Sequence, residues 1–414
     1  MNESPLFTRR EFLRATGLVA AASAAMPAFL VRTAVAASAQ ARIKGFQDGR
    51  ILVVVQLGGG NDGLNTLVPY TDDAYRQARP RLALGTDRIL RIDDTVGFNS
   101  RLKGLKQLYD DGLVSVVEGV GYPNPNRSHF RSMEIWHTAT DSDKYSRTGW
   151  IGRYFDACCS GEAEPVAGVA VGGERPQAFG GQRGFGVAFQ DPASFGWAEG
   201  AGAARQENFR VVAGATRPQN DTLDFLRKVA ADAVISSDRV REAVRQYRAQ
   251  IDYPRDQFGQ SLQTVAKMIA GGLDTKIYYV SLTGFDTHAN QQGTHDNLLE
   301  RLGNGLAAFH ADLRAQGNAD RTLIMTFSEF GRRVAENGSG GTDHGTAAPM
   351  FLVGDRVAPG LAGRRPSLTD LDKGDLKFTT DFRTVYATVL EHWLAANPAE
   401  VLGRDFGRLP ILRP

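Results

Sequence analysis

The sequence predicts an α/β protein with a doubly wound, mainly parallel sheet and helices on both of its faces. From Arg50 onward, short apolar runs typical of buried strands alternate with longer amphipathic segments. Such alternation is typical of parallel sheets, because each return crossing takes up a helix. The 42% hydrophobic content supports a substantial core. No internal repeat or linker interrupts the pattern, so we expect a single domain over residues 45–414.

The individual elements follow from the period of the apolar residues. The predicted strands are 51–57, 113–119, 166–171, 276–282, 322–327 and 349–353. The predicted helices are 101–110, 128–139, 149–158, 220–250, 257–270, 293–315 and 380–395. The longest, 220–250, has apolar residues on one face among charged ones, so it is expected to pack along that face.

The N-terminus predicts export. Thr8-Arg9-Arg10-Glu11-Phe12 precedes an alanine-rich apolar stretch, and small residues suited to cleavage follow at Ala36. This pattern is typical of a twin-arginine signal peptide, so residues 1–36 are left out of the fold. A membrane anchor is the alternative, but the stretch is shorter than the roughly 20 residues that a spanning helix needs. We expect a periplasmic or secreted protein, carried by the Tat machinery, without a transmembrane segment in the mature chain.

The charge of the mature chain excludes one class of partner. Loss of residues 1–36 removes four arginines and two glutamates from a chain of formal net charge +2, which leaves no net charge. A nucleic-acid-binding protein usually has a basic surface. We therefore expect no nucleic acid partner.

Three of the predicted strands are followed by carboxylate or imidazole side chains. Asp62 follows strand 51–57, Asp286 and His288 follow the fourth strand, and Glu329 follows the fifth. Polar groups at the carboxyl ends of parallel strands meet at one edge of the sheet, where active sites lie. Asp286 and His288 are two residues apart, so in extended backbone they point to the same side. Carboxylate and imidazole together suit Zn, Mn or Fe better than Ca.

A further imidazole lies in the glycine-rich segment that precedes the last predicted strand. His344 stands in Gly340-Gly341-Thr342-Asp343-His344-Gly345. Asp343 is predicted either to bind the metal itself or to orient the imidazole from behind.

A candidate nucleophile lies at the start of the second predicted helix. Ser128 faces the unpaired N–H groups of a helix N-terminus, which favour an anion and stabilise an alkoxide. An ordinary N-cap is the alternative. Arg127 and Arg131 lie close enough in sequence to hold charged oxygens, so Ser128 is the leading nucleophile. His129 adjoins it and is predicted to carry a proton or to bind substrate.

Together these motifs resemble the DUF1501 family, which is related to the alkaline phosphatase and sulfatase superfamily. The motifs are Gly58-Gly59-Gly60-Asn61-Asp62-Gly63-Leu64-Asn65-Thr66, Asn126-Arg127-Ser128-His129-Phe130, Gly284-Phe285-Asp286-Thr287-His288, Ser328-Glu329-Phe330-Gly331-Arg332 and Thr342-Asp343-His344-Gly345. The resemblance implies an alkaline-phosphatase-like fold with two metal ions beside a nucleophile.

The resemblance also implies a role for each residue. Asp62 resembles the first carboxylate on one metal, and Ser128 resembles the nucleophile. The residues that resemble the ligands of the other metal are Asp286, His288 and His344. Glu329 resembles the carboxylate of an Asp-His pair that belongs with Asp62.

The sequence departs from the superfamily pattern at two points. The expected Asp-His-Gly reads Glu329-Phe330-Gly331, so the Asp62 metal loses an imidazole. The sulfatase modification signal is missing after Ser128, so formylglycine chemistry is not expected. We therefore expect one or two divalent ions, from among Zn, Mn and Mg.

These observations predict an exported metal-dependent hydrolase that acts on a small anionic ester, of phosphate or sulfate, with Ser128 as nucleophile. Two alternatives stay open. One is a non-catalytic exported binding or assembly protein on the same fold, which the Phe330 departure allows. The other is a metal-dependent phosphomutase or transferase.

Overall fold

The computed structural model describes residues 49–158, 166–182, 186–192 and 236–413. The strands are β1 Ile51–Gly58, β2 Leu67–Val68, β3 Ile89–Arg91, β4 Gly97–Asn99, β5 Val114–Gly121, β6 Gly168–Val171, β7 Val187–Phe189, β8 Ile277–Thr283, β9 Thr322–Phe327, β10 Ala348–Val353, β11 Gly360–Gly363, β12 Leu371–Asp372, β13 Asp375–Leu376 and β14 Thr380–Asp381. The helices are α1 Gly63–Thr66, α2 Asp73–Ala78, α3 Lys103–Asp110, α4 His129–Thr138, α5 Trp150–Cys158, α6 Gln257–Ala270, α7 Gln291–Ala315, α8 Phe382–His392 and α9 Pro398–Leu402. Residues 236–246 are also helical.

Nine of the described strands form one sheet. Its order is β11-β5-β10-β9-β1-β8-β6-β7, and β14 also pairs with β5. The pairs are parallel except those of β10, which is antiparallel to β5 and to β9. The chain between β9 and β10 starts and ends at the carboxyl edge of β9, so β10 runs back across the sheet. The mainly parallel sheet of the sequence prediction is thus confirmed.

Helices cover both faces of this sheet, as predicted. Successive residues of a strand point to opposite faces. Ile51, Val53 and Val55 of β1 join a buried cluster with side chains of α3, α6 and α7. Leu52 and Val54 join a second cluster with side chains of α4, α5 and α8. The sheet therefore separates two hydrophobic cores.

Most predicted elements lie where the sequence pattern puts them. Each of the six predicted strands has a counterpart, and strand 322–327 and helix 257–270 have the predicted bounds. Of the predicted helix 220–250, residues 220–235 lie outside the described residues, and the helix ends at residue 246. The short strands β2–β4, β7 and β11–β14 were not predicted, because two to four residues do not establish a period.

The predicted signal peptide also lies outside the described residues. Among the helices that the structure describes, none combines the length and the hydropathy needed to cross a membrane.

The carboxyl edge of the sheet brings three loops together. β1 lies between β8 and β9, and Val55 is paired with Val280 on one side and Thr326 on the other. Gly59, just after β1, has φ of +115°, and a Cβ there would lie 2.5 Å from the backbone nitrogen of Asp286. Only glycine permits this approach without strain. The glycines after β1 therefore let its loop pack against the loop after β8.

Candidate metal centre

Four side chains from two loops and one helix meet at this edge. Asp286 and His288 follow β8, His344 precedes β10, and His129 is the first residue of α4. Oδ1 of Asp286 lies 3.0 Å from Nε2 of His288 and 3.1 Å from Nε2 of His344. The two Nε2 atoms are 2.9 Å apart, and Nε2 of His129 lies 3.4 Å from Oδ2 of Asp286. We call these four residues the Asp286 cluster.

Each imidazole of the Asp286 cluster is held through its Nδ1 atom. The contacts are 2.8 Å from His129 to Oε1 of Glu329, 3.3 Å from His288 to Oδ1 of Asp343, and 2.8 Å from His344 to the backbone oxygen of Arg127. Carbonyl and carboxylate oxygens accept hydrogen bonds, so Nδ1 donates in all three rings. Because Nδ1 carries the proton, the lone pair of each neutral ring lies on Nε2, the atom that faces Asp286.

The arrangement fits a divalent metal ion. In the absence of a cation, the lone pairs of His288 and His344 would face each other at 2.9 Å and would also face a carboxylate oxygen. Ligands of a tetrahedral zinc ion, with bonds of about 2.0–2.1 Å, lie roughly 3.3 Å apart. The separations of 2.9–3.1 Å around Asp286 are close to this value. Ligand atoms of His129, Asp286 and His344 also lie within 4.8 Å of one another.

The protonation states of Asp286 and His344 suit metal binding, which needs ionised carboxylates and neutral imidazoles, whereas that of His129 opposes it. Burial by itself raises the pKa of Asp286, but the hydrogen bond and the positive charge of Arg332 lower it to about 2. Burial lowers the pKa of His344 below its ordinary value. The hydrogen bond to Glu329 raises the pKa of His129 in the metal-free protein.

Arg332 connects the loops that carry these ligands through hydrogen bonds. Its buried guanidinium donates to Oδ1 of Asp286 at 2.7 Å, to the backbone oxygen of Gly60 at 2.8 Å and to that of Thr342 at 2.9 Å. The three acceptors belong to the loops after β8, after β1 and before β10. One side chain therefore fixes the relative positions of all three loops.

Asp62 does not join the Asp286 cluster. Its Oδ2 accepts from Nη1 of Arg79 at 2.6 Å, and both side chains are fully buried. The amide of Gln291 donates to the same oxygen, while Oε1 of Gln291 accepts from the hydroxyls of Thr287 and Thr342. The metal role of Asp62 therefore stays a prediction, and in the structure Arg79 supplies the counter-charge of this carboxylate.

Glu329 lies behind a histidine instead of among the ligands. It is 2% exposed, and its Oε1 accepts from the backbone N–H of Gly59 and from His129, each at 2.8 Å. In the structure Glu329 thus orients His129, and its expected role as a metal ligand stays a prediction. The ring of Phe330 packs against His129 and His344, at centroid distances of 4.8 Å and 4.7 Å.

Asp343 also orients an imidazole, which is one of its two predicted roles. The imidazole is that of His288, however, and the backbone oxygen of Arg127 holds His344 instead. Asn337 steadies the Asp343 carboxylate with a hydrogen bond of 3.1 Å.

Ser128 adjoins the Asp286 cluster at the N-cap of α4. In the described part of the chain its exposed side chain makes no capping hydrogen bond, so the ordinary N-cap alternative is not what the structure shows. Ser128 stands between two residues that contact the cluster, since the Arg127 carbonyl holds His344 and His129 is a member.

The two arginines predicted to hold substrate oxygens already have acidic partners. The Arg127 guanidinium pairs with the buried carboxylate of Asp375. Arg131 pairs with Glu134 at 2.7 Å and lies over the ring of Tyr145, 3.8 Å from its centroid. Arg131 is therefore assigned to the structure of α4 and its flanking loop, and not to substrate.

Sequence reasoning missed four residues that support the site, namely Arg79, Gln291, Arg332 and Asp375. Arg332 carried a signal, since it closes the Ser-Glu-Phe-Gly-Arg motif. The other three lie outside any motif, and only tertiary contacts reveal them.

The sheet and the Asp286 cluster define an α/β protein with a candidate metal centre at the carboxyl edge of its strands. The chain belongs to the DUF1501 family: the model of "Protein of unknown function (DUF1501)" matches residues 116–408. No curated protein matches the sequence. The family predicted from the motifs is thus confirmed.

Several solved structures have a similar fold. A protein of the alkaline phosphatase superfamily from Vibrio parahaemolyticus has 11% identity and a TM-score of 0.41, over 86% of this chain and 69% of that one. The PsFucS1 sulfatase from Pseudoalteromonas sp. has 12% identity and a TM-score of 0.34, over 82% and 69%. The periplasmic domain of EcEptC from Escherichia coli, in complex with Zn, has 12% identity and a TM-score of 0.37, over 74% and 73%. These similarities are too low to say what the present protein binds.

Proposed function

We propose that this protein is a metal-dependent hydrolase of phosphate or sulfate esters, with Ser128 as its nucleophile. The observation that carries the proposal is the convergence of three imidazole Nε2 atoms and one carboxylate beside an exposed serine. A divalent ion bound there would polarise a phosphoryl or sulfuryl oxygen and lower the pKa of a nearby hydroxyl. His129, Asp286, His288 and His344 would hold it.

The N-terminus of α4 supplies the second part of the site. α4 has ten residues, and its dipole and first N–H groups favour an anion beside Ser128. These donors are fixed before substrate arrives, which is the condition for effective stabilisation of developing negative charge.

The reaction divides into two displacements. The Oγ atom of Ser128 forms a bond to phosphorus or sulfur as the bond to the leaving alcohol oxygen breaks. The serine proton passes to solvent, to which Ser128 is exposed, and the alcohol leaves with a proton from water. Water then cleaves the serine ester and restores the hydroxyl, which releases inorganic sulfate or phosphate from a monoester and a phosphate monoester from a phosphodiester.

The test compares Ser128→Ala with Ser339→Ala, a change of an exposed serine in the loop before β10. We expect the metal-loaded wild-type protein to hydrolyse at least one member of a panel of phosphate and sulfate esters. Ser128→Ala should lower kcat by about 10³-fold or more, as loss of a nucleophile does in serine enzymes. Ser339→Ala should match wild type. Unchanged kcat in Ser128→Ala with metal retained excludes the nucleophile role.

We further propose export through the twin-arginine pathway, on the basis of Arg9 and Arg10 and the apolar stretch that follows. Recovery of the protein from periplasm or medium with its N-terminus near Ala36 supports this proposal. Recovery only from the cytoplasm with the first 36 residues intact contradicts it.

A further inference from the structure

We propose that the centre holds a single divalent ion, that the Arg79 guanidinium stands in place of a second one, and that the site therefore selects monoanionic esters. The superfamily resemblance implies two ions, so this is a difference specific to the present chain. The part that concerns ion number stands on geometry alone. The part that concerns substrate charge rests on the proposed hydrolase function.

Asp62 is already neutralised by a protein cation. Arg79 is held on all sides: Nη1 donates to Asp62 at 2.6 Å, Nε to the backbone oxygen of Val334 at 2.8 Å and Nη2 to that of Arg333 at 2.8 Å. Burial raises the pKa of Asp62, but Arg79 outweighs it and the net shift is downward. A metal ion on Asp62 would lie beside a buried guanidinium that has no route to solvent, and like charges in a buried site repel strongly.

The remaining oxygen of Asp62 does not make a metal site by itself. Oδ1 is buried and has no hydrogen-bond partner among the described residues. Within the same part of the chain, however, Asp62 belongs to no group of three or more His, Cys, Asp or Glu ligand atoms. One carboxylate oxygen is too few for a divalent ion, which takes at least four ligands, most of them from the protein in structural sites.

The other donors expected at a second site have different tasks. Oε1 of Glu329 accepts from Gly59 and His129, and Phe330 offers a hydrocarbon ring where an imidazole is expected. His129 presents its Nε2 to Asp286. The donors that a second site would need therefore belong to the first site. His129 is its fourth ligand, and Glu329 is the carboxylate that orients the imidazole of His129.

The charge balance of a one-ion centre determines which anion it suits. One divalent ion and Arg332 balance the three carboxylates of Asp286, Glu329 and Asp343. Nearby, Arg127 and Arg333 share the buried carboxylate of Asp375, with Arg333 at 3.6 Å. The carboxylate of Asp372 also acts on Asp375, but it is exposed and solvent screens it, so one positive charge is in excess at this buried group.

That excess, together with the positive end of α4, compensates one negative charge on a substrate. A sulfate ester or a phosphodiester carries one negative charge, whereas a phosphate monoester carries two near neutral pH. The site is therefore suited to the first two classes.

The first experiment counts ions in the folded full-length chain after removal of its export signal. Metal-free protein is titrated with Zn²⁺ and with Mn²⁺ by calorimetry, and the complexes are weighed by native mass spectrometry. We expect one ion per chain, a loss of affinity of tenfold or more in His129→Gln, and no change of ion number in the double variant Asp62→Asn with Arg79→Gln, which keeps an uncharged hydrogen-bonded pair. Two ions in wild type, with one lost in the double variant, overturn the proposal.

The second experiment compares three probes with one leaving group: bis(4-nitrophenyl) phosphate, 4-nitrophenyl sulfate and 4-nitrophenyl phosphate. We expect kcat/KM for at least one monoanionic probe to exceed that for the dianionic monoester by tenfold or more, and the first two probes separate phosphodiester from sulfate ester. A preference for the monoester overturns the charge argument. Absence of turnover for all three overturns the proposed function, while the ion count is judged separately by its own measurement.

Discussion

Asp62 and Asp286 occupy similar places in the sequence and opposite environments in the fold. Each follows a buried strand through a turn that contains glycine, and β1 and β8 are neighbours. The Asp286 side chain is 46% exposed and faces three imidazoles. The Asp62 side chain is fully buried and faces a guanidinium. The partner of a carboxylate at a strand end, and not its position there, therefore decides whether it is available to a metal ion.

The partners come from distant parts of the chain. Arg79 lies at the C-terminus of α2, His129 is the first residue of α4, and His344 lies in the loop before β10. Gln291, at the start of α7, connects the two environments, since its amide nitrogen donates to Asp62 and its oxygen accepts from Thr287, which is next to Asp286. Gln291 thus links the buried pair of Asp62 and Arg79 to the loop that carries Asp286.

The largest expected effects come from replacing aspartate with asparagine at position 286 and at position 62. Asp286→Asn should lower metal affinity by more than the roughly 100-fold upper range for residues that only orient ligands, with little loss of stability. Asp62→Asn should leave Arg79 buried and unpaired, at a cost of about 3–5 kcal/mol in the free energy of unfolding.

Metal titration and denaturant unfolding of the metal-free protein measure the two quantities separately. The comparison fails if Asp62→Asn still folds, and its folded form binds metal as poorly as Asp286→Asn.

The acid stability of the metal-free protein provides a second contrast. A carboxylate with a depressed pKa stabilises the fold above its ordinary pKa, and this contribution is lost as the pH falls through the folded-state value. The pKa of Asp62 is lowered from 3.8, so its contribution is complete above about pH 4 and declines below it. Asp286 is also depressed, to about 2, but solvent screens its half-exposed side chain and reduces its contribution.

We therefore expect the free energy of unfolding to fall between about pH 4 and 2, with more of that slope due to Asp62 than to Asp286. Urea unfolding at several pH values measures this pH dependence of the free energy of unfolding. The proteins compared are wild type and the double variant Asp62→Asn with Arg79→Gln. An identical slope in both proteins contradicts the assignment.

The contrast also shows what could be predicted from sequence. β1, β8 and β9 were predictable, because runs such as Ile51–Leu57 combine β-branched residues with glycine at their ends. The position of Asp286 and His288 at the edge of the sheet followed from the rule that ends of parallel strands share an edge, and the family resemblance added His344 to them. These inferences need only local pattern and one general rule of topology.

The other features of the fold and the site could not be predicted from sequence, because they depend on contacts between segments far apart in the chain. The spacing of apolar residues in β10 does not reveal that it is antiparallel, because this spacing is the same for strands of either direction. Glu329 and His129 were both recognised as site residues, but their roles depend on which ring nitrogen meets which oxygen. Arg79 stands outside any motif, and its pairing with Asp62 is a buried long-range contact that residue types alone do not specify.

The smallest expected effects distinguish the two carboxylates that orient histidines. Glu329 is buried and accepts from His129 at 2.8 Å, whereas the Asp343 side chain is 54% exposed and accepts from His288 at 3.3 Å. Glu329→Gln should lower metal affinity by about tenfold, at the low end of the range for orienting residues, since glutamine keeps an acceptor but loses the charge.

Asp343→Asn should lower metal affinity by only about two- to threefold, since an exposed and longer hydrogen bond orients its imidazole weakly. Competition between each variant and a chromogenic chelator measures these differences without any assay of turnover. If Asp343→Asn has the larger effect, Asp343 itself binds the metal, which was its other predicted role, and His129 with Glu329 then lies outside the ligand set. The order of the two effects thus tests which histidines complete the centre.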